Sequence, residues 1–375
     1  MCNGSEREEE VLTIKEVCAL FDISGKYVRC TEIPTGNVNS TYCVEFLRGA
    51  EKEKYVLQRI NKIAFKNPPQ VMDNIVRVTE HIRQKIKGGK EAEEAGVLHA
   101  FPAKADGNPY IIDDYDEYWR CYRYIKNSVT YDACDSLEMA KNIGWAFGRF
   151  QRYLQDFDAE SLHATIPDFH NTIKRYEIFR AAIRLDPRNR VRKVKEQIEA
   201  LFQLEEKACL LQKFLDEGKI PYRVTHNDTK CNNISFDKDT GKVLAVLDLD
   251  TVMPGAIAHD FGDAIRYMAN TLLEDDPHIE CVALDLDKYR AFTKGFIGQV
   301  KNVLTPMEIE TMTLGVLAMT TELAVRFLTD YLLGCQYFRI RYPGHNVDRT
   351  NNQIALAHDI VKKLDKMQEI LREFV

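Results

Sequence analysis

The stretch RVTHNDTKCNN (residues 223–233) packs polar side chains between apolar runs. It is followed by ISF, a turn DKDTGK, and VLAVLDLDT, an apolar run that stops on Asp248 and Asp250. Two short apolar runs around an Asp/Gly-rich turn form a β-hairpin. A hairpin returns its end to its beginning, so Asp248 comes back beside the loop that carries Asp228 and Asn233. Any fold for this chain must therefore set a carboxylate-rich loop at the mouth of a buried hairpin.

The hairpin stands alone among helical patterns. Before residue 126 the chain is strand-rich: YVRCTEI (27–33), STYCVEFL (40–47), KYVLQRI (54–60), NPYIID and EYWRCYRYI (117–125) carry β-branched and aromatic residues between short turns. One helix interrupts them, opened by Pro68-Pro69, with Met72, Ile75, Val76, Thr79 and Ile82 at helical spacing, and closed by Gly88-Gly89. After KNSVTYDACDS, Ile143, Phe147, Phe150, Leu154 and Phe157 start an amphipathic helix. Further helices are expected near 170–183, 190–217, 260–274, 285–299, 307–333 and 352–373, with 232–250 the sole strand-like stretch among them. The fold class is α+β with two lobes: 1–125, small and β-rich, and 126–375, larger and helical. The cleft between two lobes is the default place for a ligand.

Asp228, Asn233 at +5 and Asp248 at +20 supply a free carboxylate and two hard oxygen ligands. Mg²⁺ on a nucleotide takes one or two protein oxygens and leaves the rest to phosphates and water. A separate carboxylate can accept the proton of an attacking hydroxyl, and a lysine can offset phosphate charge. His226, Asp228, Lys230 and Asn233 fit the spacing H-x-D-x-K-x-x-N of kinase catalytic loops. Three roles at matching spacing outweigh an ordinary polar loop. His226 itself is read as a packing residue that holds the loop.

THNDTKCNN, LDLDTVMPG and HDFGDAIRY together resemble the aminoglycoside phosphotransferase and choline kinase superfamily of small-molecule kinases, and within it the N-acetylhexosamine 1-kinases. The likeness extends through GNVNSTY (36–42), WRCYRYI, DFHNTIKRYE (168–177), RFLTDYL (326–332) and RYPGHN (341–346), nearly the whole chain. It implies a protein-kinase-like fold, ATP, Mg²⁺, and phosphorylation of the anomeric hydroxyl of GlcNAc or GalNAc. Asp228 would be the base, Lys230 would stabilise the transferring charge, and Asn233 and Asp248 would hold the metal. Asp260-Phe261-Gly262 spells the metal-binding DFG of protein kinases. It lies too far past Asp228 for the hairpin return, and the resemblance implies that Asp260 fixes the loop backbone, with Asp250 and Asp263 also structural.

On the nucleotide side, Gly36, Asn39 and Thr41 sit in a turn that can approach phosphates; an ordinary hairpin turn fits the residues equally, and the resemblance favours phosphate contact. Gln58 stands where protein kinases place a strand lysine, and no Lys–Glu pair is identifiable. Tyr124 and Ile125, in the connector, would offer backbone groups to adenine. No Walker A sequence occurs, which excludes a P-loop kinase.

For the acceptor, helix 307–333 carries a stripe of Val316, Met319, Leu323 and Phe327 with Arg326 on its margin. The residues alone favour a Glu322–Arg326–Asp330 ladder; the resemblance implies that Arg326 and Tyr337 contact the sugar. Rival acceptors are another hexose, homoserine, choline or an aminoglycoside. A polycation wants an acidic pocket, whereas 321–350 holds four arginines against three acids. An inactive nucleotide-binding module would normally lack Asp228 or Asp248.

Composition narrows the field. The net charge of −6 argues against a dedicated nucleic-acid or anionic-membrane binder. The basic stretch 184–195 has no interleaved aromatics and is expected to be a loop entering a solvated helix. The 10 cysteines show no CxxC or zinc spacing, which points to reduced thiols. The first residues, MCNGSEREEEVL, lack the apolar core of a signal peptide, and no run of 18 apolar residues occurs. The expectation is a soluble cytoplasmic protein with a small-molecule substrate, no nucleic-acid partner and no membrane partner.

Overall fold

The computed structural model of the chain, which describes residues 13–34, 38–87 and 96–375, begins with α1 (Ile14–Ala19). Thr13 and Glu16 close a reciprocal capping box on it. This helix is one beyond those expected above; its sequence signal is the T-x-x-E of Thr13 and Glu16 before the apolar pair Val17 and Cys18. The predicted phosphate residue Gly36 and the helix-closing Gly88 and Gly89 lie outside the described residues.

The first of two compact units runs to Thr79 and resumes at Leu98–Lys126. It contains β1 (Lys26–Ile33), β2 (Ser40–Arg48), β3 (Glu51–Arg59), most of α2 (Pro68–Ile86), β4 (Ile111–Ile112) and β5 (Tyr118–Arg123). The strands form one antiparallel sheet in the order β1-β2-β3-β5-β4. Val17, Cys18 and Phe21 pack with Val44, Phe46, Leu57 and Cys121 into its core. On α2 the buried residues include Val71, Met72, Ile75, Val78, Thr79 and Ile82, while Val76, expected inside, is exposed. The register sets Thr41 opposite Gln58, and Gln58 opposite Arg120.

The second unit takes the described residues between Glu80 and Val97 and then Asn127–Val375. Its elements are β6 (Ser128–Val129), α3 (Leu137–Tyr153), α4 (Thr172–Leu185), α5 (Lys195–Ala208), α6 (Leu210–Asp216), β7 (Arg223–Thr225), β8 (Ile234–Asp237), β9 (Val243–Val246), β10 (Met253–Gly255), α7 (Ile257–Met268), α8 (Leu286–Val300), α9 (Pro306–Leu333) and α10 (His345–Arg372). The expected hairpin is β8–β9, with Ile234 opposite Val246. It is joined by β6, and a second ribbon pairs β7 with β10. Strands of two or three residues are too short to show alternation in sequence. The expected helix 190–217 is interrupted: a 3₁₀ turn precedes α5, and Cys209 separates α5 from α6.

Core helix α9 runs against α7, α4 and α10. It is long and apolar enough to cross a membrane by length and composition, although its apolar residues do not form an unbroken run of 18. In the structure 83% of its most apolar window is buried inside the protein, as a core helix would be. Helices α7 and α9 touch backbone to backbone. A Cβ on Gly262 would stand 2.3 Å from the Gly315 carbonyl oxygen, and one on Gly315 would stand 2.1 Å from that of Ala258. Only glycine permits that approach, and it lays the first turns of α7 beside the central helix.

Candidate active site

The loop between β7 and β8 is held from beneath by α7. Asp260, with no exposed surface, accepts from the His226 amide (2.8 Å, Oδ2), the Asn227 amide (2.8 Å, Oδ1) and Gln151 Nε2 (2.6 Å, Oδ2). Burial pushes its pKa up, against the His226 ring and these donated bonds. Its backbone carbonyl accepts from Thr229 Oγ1 at 2.6 Å. One turn on, Asp263 accepts from the Thr229 amide at 2.9 Å and from Arg266 at 2.7 Å. The D-F-G sequence is thus an anchor: both Asp260 oxygens face N–H donors and the side chain has no exposed surface.

His226 is buried against Phe147 and Phe150. Its Nε2 donates to the Leu247 carbonyl at 2.8 Å, and its Nδ1 accepts from the Asp228 amide at 3.3 Å. Asn227 has φ 64°, and its side chain donates to the Thr251 carbonyl at 2.9 Å. Thr251 Oγ1 returns to the His226 carbonyl at 2.7 Å. Loop and hairpin are therefore tied together, and His226 holds them as a packing and hydrogen-bonding residue.

Asp228 stands half-buried on this support. Its Oδ1 pairs with Lys230 Nζ at 2.8 Å, and its Oδ2 accepts from Asn233 Nδ2 at 3.1 Å. Burial alone would raise its pKa. The Lys230 charge and hydrogen bond, the His226 ring and the Asn233 amide outweigh that and hold the carboxyl below its ordinary 3.8. Lys230 is shifted upward in turn, its own burial being outweighed by Asp228 and then Asp263.

Asn233 spends its Nδ2 on the Asp228 carbonyl (2.8 Å) and carboxylate, so its Oδ1 is the end turned to other work. The Leu247 amide donates to the Asn233 carbonyl at 2.8 Å, which brings Asp248 next to it in the ladder. Asp248 is exposed, with φ 53°. Among the described residues no group of three His, Cys, Asp or Glu could cage an ion. Two protein oxygens at an open edge fit Mg²⁺ that arrives with a nucleotide, not a resident structural metal.

In the first unit, Arg120 Nε donates to Gln58 Oε1 at 3.0 Å, and Gln58 Nε2 donates to Thr41 Oγ1 at 3.0 Å. All donors in this chain run toward the Thr41 hydroxyl, so its own proton is free to point at an acceptor. Asn39 accepts from the Asn61 amide at 3.0 Å. The Tyr124 amide donates to the Lys54 carbonyl at 3.3 Å, and Ile125 follows it. Arg120, one of the largest fully buried side chains, was not read from the sequence. Its role depends on a strand register that no local pattern announces.

Arg326 and Tyr337, the residues expected at the acceptor, meet at a cavity of about 230 Å³ whose walls include Phe169, Arg175, Asp330 and Phe338. Arg326 lies 5.1 Å from the Phe169 ring centre and 5.6 Å from those of Tyr337 and Phe338, and donates to the Tyr337 hydroxyl at 3.3 Å. The expected ladder stops there. Glu322 is 3.9 Å from Arg326, but Asp330 instead accepts from the Gln336, Tyr337 and Phe338 amides and from Asn346. Arg175 donates to the Phe169 carbonyl, at 2.6 Å and 3.2 Å; burial and then Arg326 lower its pKa. Phe169 and Arg175 lie in DFHNTIKRYE, where the sequence showed likeness but assigned no role. In the basic stretch, Arg190 is not solvated as expected: it donates to the Tyr331 carbonyl at 2.6 Å.

Behind the cavity, Glu322 is 1% exposed and bonds His170 Nδ1 at 2.9 Å. Its own burial opposes ionisation, but His170, Arg326 and Arg175 prevail and lower its pKa to about 2. A carboxyl depressed by folding adds stability above its unfolded value, here 4.5, and loses it as pH falls toward 2. Glu322→Gln should therefore lose less stability than the parent between pH 4.5 and about 2, read by denaturant unfolding across that window. Parallel pH curves would contradict the ion pair.

A sequence profile of the phosphotransferase enzyme family matches residues 29–291. The chain belongs to that family, and is a phosphotransferase of the aminoglycoside phosphotransferase and choline kinase superfamily. Its fold is similar to an aminoglycoside phosphotransferase of Alicyclobacillus acidocaldarius, at 12% identity and TM-score 0.62 over 98% of this chain and 99% of that one. A microcompartment-associated aminopropanol kinase gives 13% identity and TM-score 0.58 over 94% and 97%. A spectinomycin phosphotransferase in complex with ADP and spectinomycin gives 12% and 0.53 over 90% and 94%. At these identities the likeness is one of fold, the kinase-like α+β arrangement of a β-sheet N-terminal region and a helical C-terminal region.

Proposed function

We propose that the chain transfers the γ-phosphoryl group of ATP to the anomeric hydroxyl of an N-acetylhexosamine, GlcNAc or GalNAc, giving the sugar 1-phosphate. The observation that carries the choice of acceptor is the charge of the cavity. Two guanidinium groups, Arg175 and Arg326, meet aromatic walls. The one carboxylate in its lining, Asp330, is spent on three amides and Asn346. An ammonium acceptor such as an aminopropanol, choline or an aminoglycoside would find positive charge and no free anion there. A neutral pyranose finds flat apolar faces at Phe169 and Phe338, and N–H donors for its hydroxyl and acetyl oxygens. Another neutral hexose is the nearest alternative.

Asp228 accepts the acceptor hydroxyl's proton as its oxygen attacks the γ-phosphorus in line, and Lys230 offsets charge on the transferring group. Asn233 and Asp248 would hold Mg²⁺, which when bound neutralises phosphate charge. Gln58 and Thr41, with Asn39 and Gly36, are assigned to the nucleotide phosphates, and the backbone at Tyr124 and Ile125 to adenine. ADP in the spectinomycin phosphotransferase complex supports a nucleotide donor.

The test is ADP release with Mg²⁺–ATP across GlcNAc, GalNAc, glucose, galactose, choline, 1-amino-2-propanol and kanamycin, with phosphorus NMR of the product. A 1-phosphate from the acetylated sugars is expected, and turnover of amines alone would overturn the acceptor. Arg326→Ala should raise the KM for the sugar about tenfold or more, the loss of one charge-assisted contact, with the KM for ATP unchanged.

A further inference from the structure

His170 lies 57 residues before the catalytic loop and touches it. Its ring is buried. Nε2 meets the Asn227 carbonyl oxygen at 3.0 Å, and Nδ1 meets Glu322 Oε1 at 2.9 Å. A carbonyl can only accept, so Nε2 carries hydrogen and donates to Asn227, while Nδ1 and the Glu322 carboxyl share the bond on the other side of the ring. Thr172 Oγ1 steadies the second oxygen, Oε2, at 3.3 Å. Burial and then the His170 ring, 5.4 Å away, lower the pKa of the neighbouring His259 to about 3.

The carbonyl that His170 holds belongs to the peptide joining Asn227 to Asp228. The other side of that peptide, the Asp228 N–H, is held by His226 Nδ1 at 3.3 Å. Two histidines thus clamp one peptide plane by its two ends, directly before the base, at a residue whose φ of 64° is unusual for a side chain-bearing residue. Glu322 is one turn before Arg326 on α9, and Phe169, which lines the same cavity as Arg326, is the residue before His170.

Resting on the kinase reading above, we propose that His170, oriented by Glu322, is a positioning residue that fixes the Asn227–Asp228 peptide and so aims the Asp228 carboxylate at the acceptor. Nothing in its geometry requires it to touch substrate; it acts through the peptide. Because Glu322 also faces Arg326, the wall of the acceptor cavity and the base share one support.

Two near-isosteres separate this role from simple packing. In His170→Gln the amide nitrogen takes the place of Nε2 and still donates to Asn227. In His170→Asn it takes the place of Nδ1, reaching Glu322 but not the peptide. We expect His170→Asn to lower kcat on GlcNAc by about 10²-fold, the scale of a misplaced catalytic group, with the KM for ATP unchanged. His170→Gln should lose about tenfold less. Amide hydrogen exchange gives a readout independent of any acceptor: peptides covering 226–229 should exchange at least about tenfold faster in His170→Asn than in His170→Gln, with α7 and α9 protected in both. Equal kcat and equal loop exchange in the two variants would overturn the proposal. If the unaltered protein turns over no acceptor while loop exchange still separates the variants, the kinase reading fails and the clamp stands.

Discussion

Asp228→Asn is expected to lower kcat by about 10²–10⁴-fold while ADP and ATP bind as before. The substitution is close to isosteric. Asn233 keeps its 2.8 Å bond to the residue 228 carbonyl, and a side-chain oxygen can still face Lys230. The new amide nitrogen then meets Asn233 Nδ2, donor against donor, a local cost in a loop whose backbone stays anchored by Asp260. What disappears is the ability to take a proton. Because Lys230 and the Asn233 amide hold the carboxyl below its ordinary value of 3.8 despite its burial, the base is ionised throughout the neutral range. kcat/KM should not fall between pH 7 and pH 5 on its account. Single-turnover rates, paired with calorimetric ADP binding, check both halves of the expectation. A variant that works within tenfold of the parent, or that loses nucleotide binding along with turnover, would remove Asp228 from the role of base.

The parts of this site that the sequence made legible are those that lie close in the chain. HNDTK and Asn233 fall within one loop, and β8–β9 is a hairpin whose turn fixes its own register, so the return of Asp248 could be inferred without coordinates. What stayed hidden depends on helices that meet across long separations. Glu322 and His170 are 152 residues apart, and Gln151 and Asp260 are 109 apart. Nothing in either segment marks its partner. The Glu322–Arg326–Asp330 spacing was misleading for a physical reason. A helix predicts which residues are neighbours along its surface, but Glu322 and Asp330 are buried and take their partners from other elements. The Gln58 puzzle had the same form: the cation beside it is Arg120, on an adjacent strand and 62 residues later.

Asp260→Ala should cost about 3 kcal/mol or more of unfolding free energy, because it strands the His226 and Asn227 amides and the Gln151 side chain at a position with no exposed surface. Asp260→Asn should cost less but not nothing. An amide can put its oxygen where Oδ2 accepts two bonds, and its nitrogen then faces the Asn227 N–H, donor against donor. Both variants should also lose turnover, since the loop they release carries Asp228. The motif's other reading predicts the opposite pattern. A metal-binding aspartate sits in its folded protein as an uncompensated charge, so removing it would leave stability unchanged or raised and would show itself as altered Mg²⁺ dependence. Urea unfolding of the two variants, set beside the Mg²⁺ dependence of whatever activity remains, separates the readings. A stable Asp260→Ala protein with weakened Mg²⁺ response would return DFG to its protein-kinase role. The three donors aimed at two oxygens, with no exposed surface between them, argue that the unfolding curve is the one that will move.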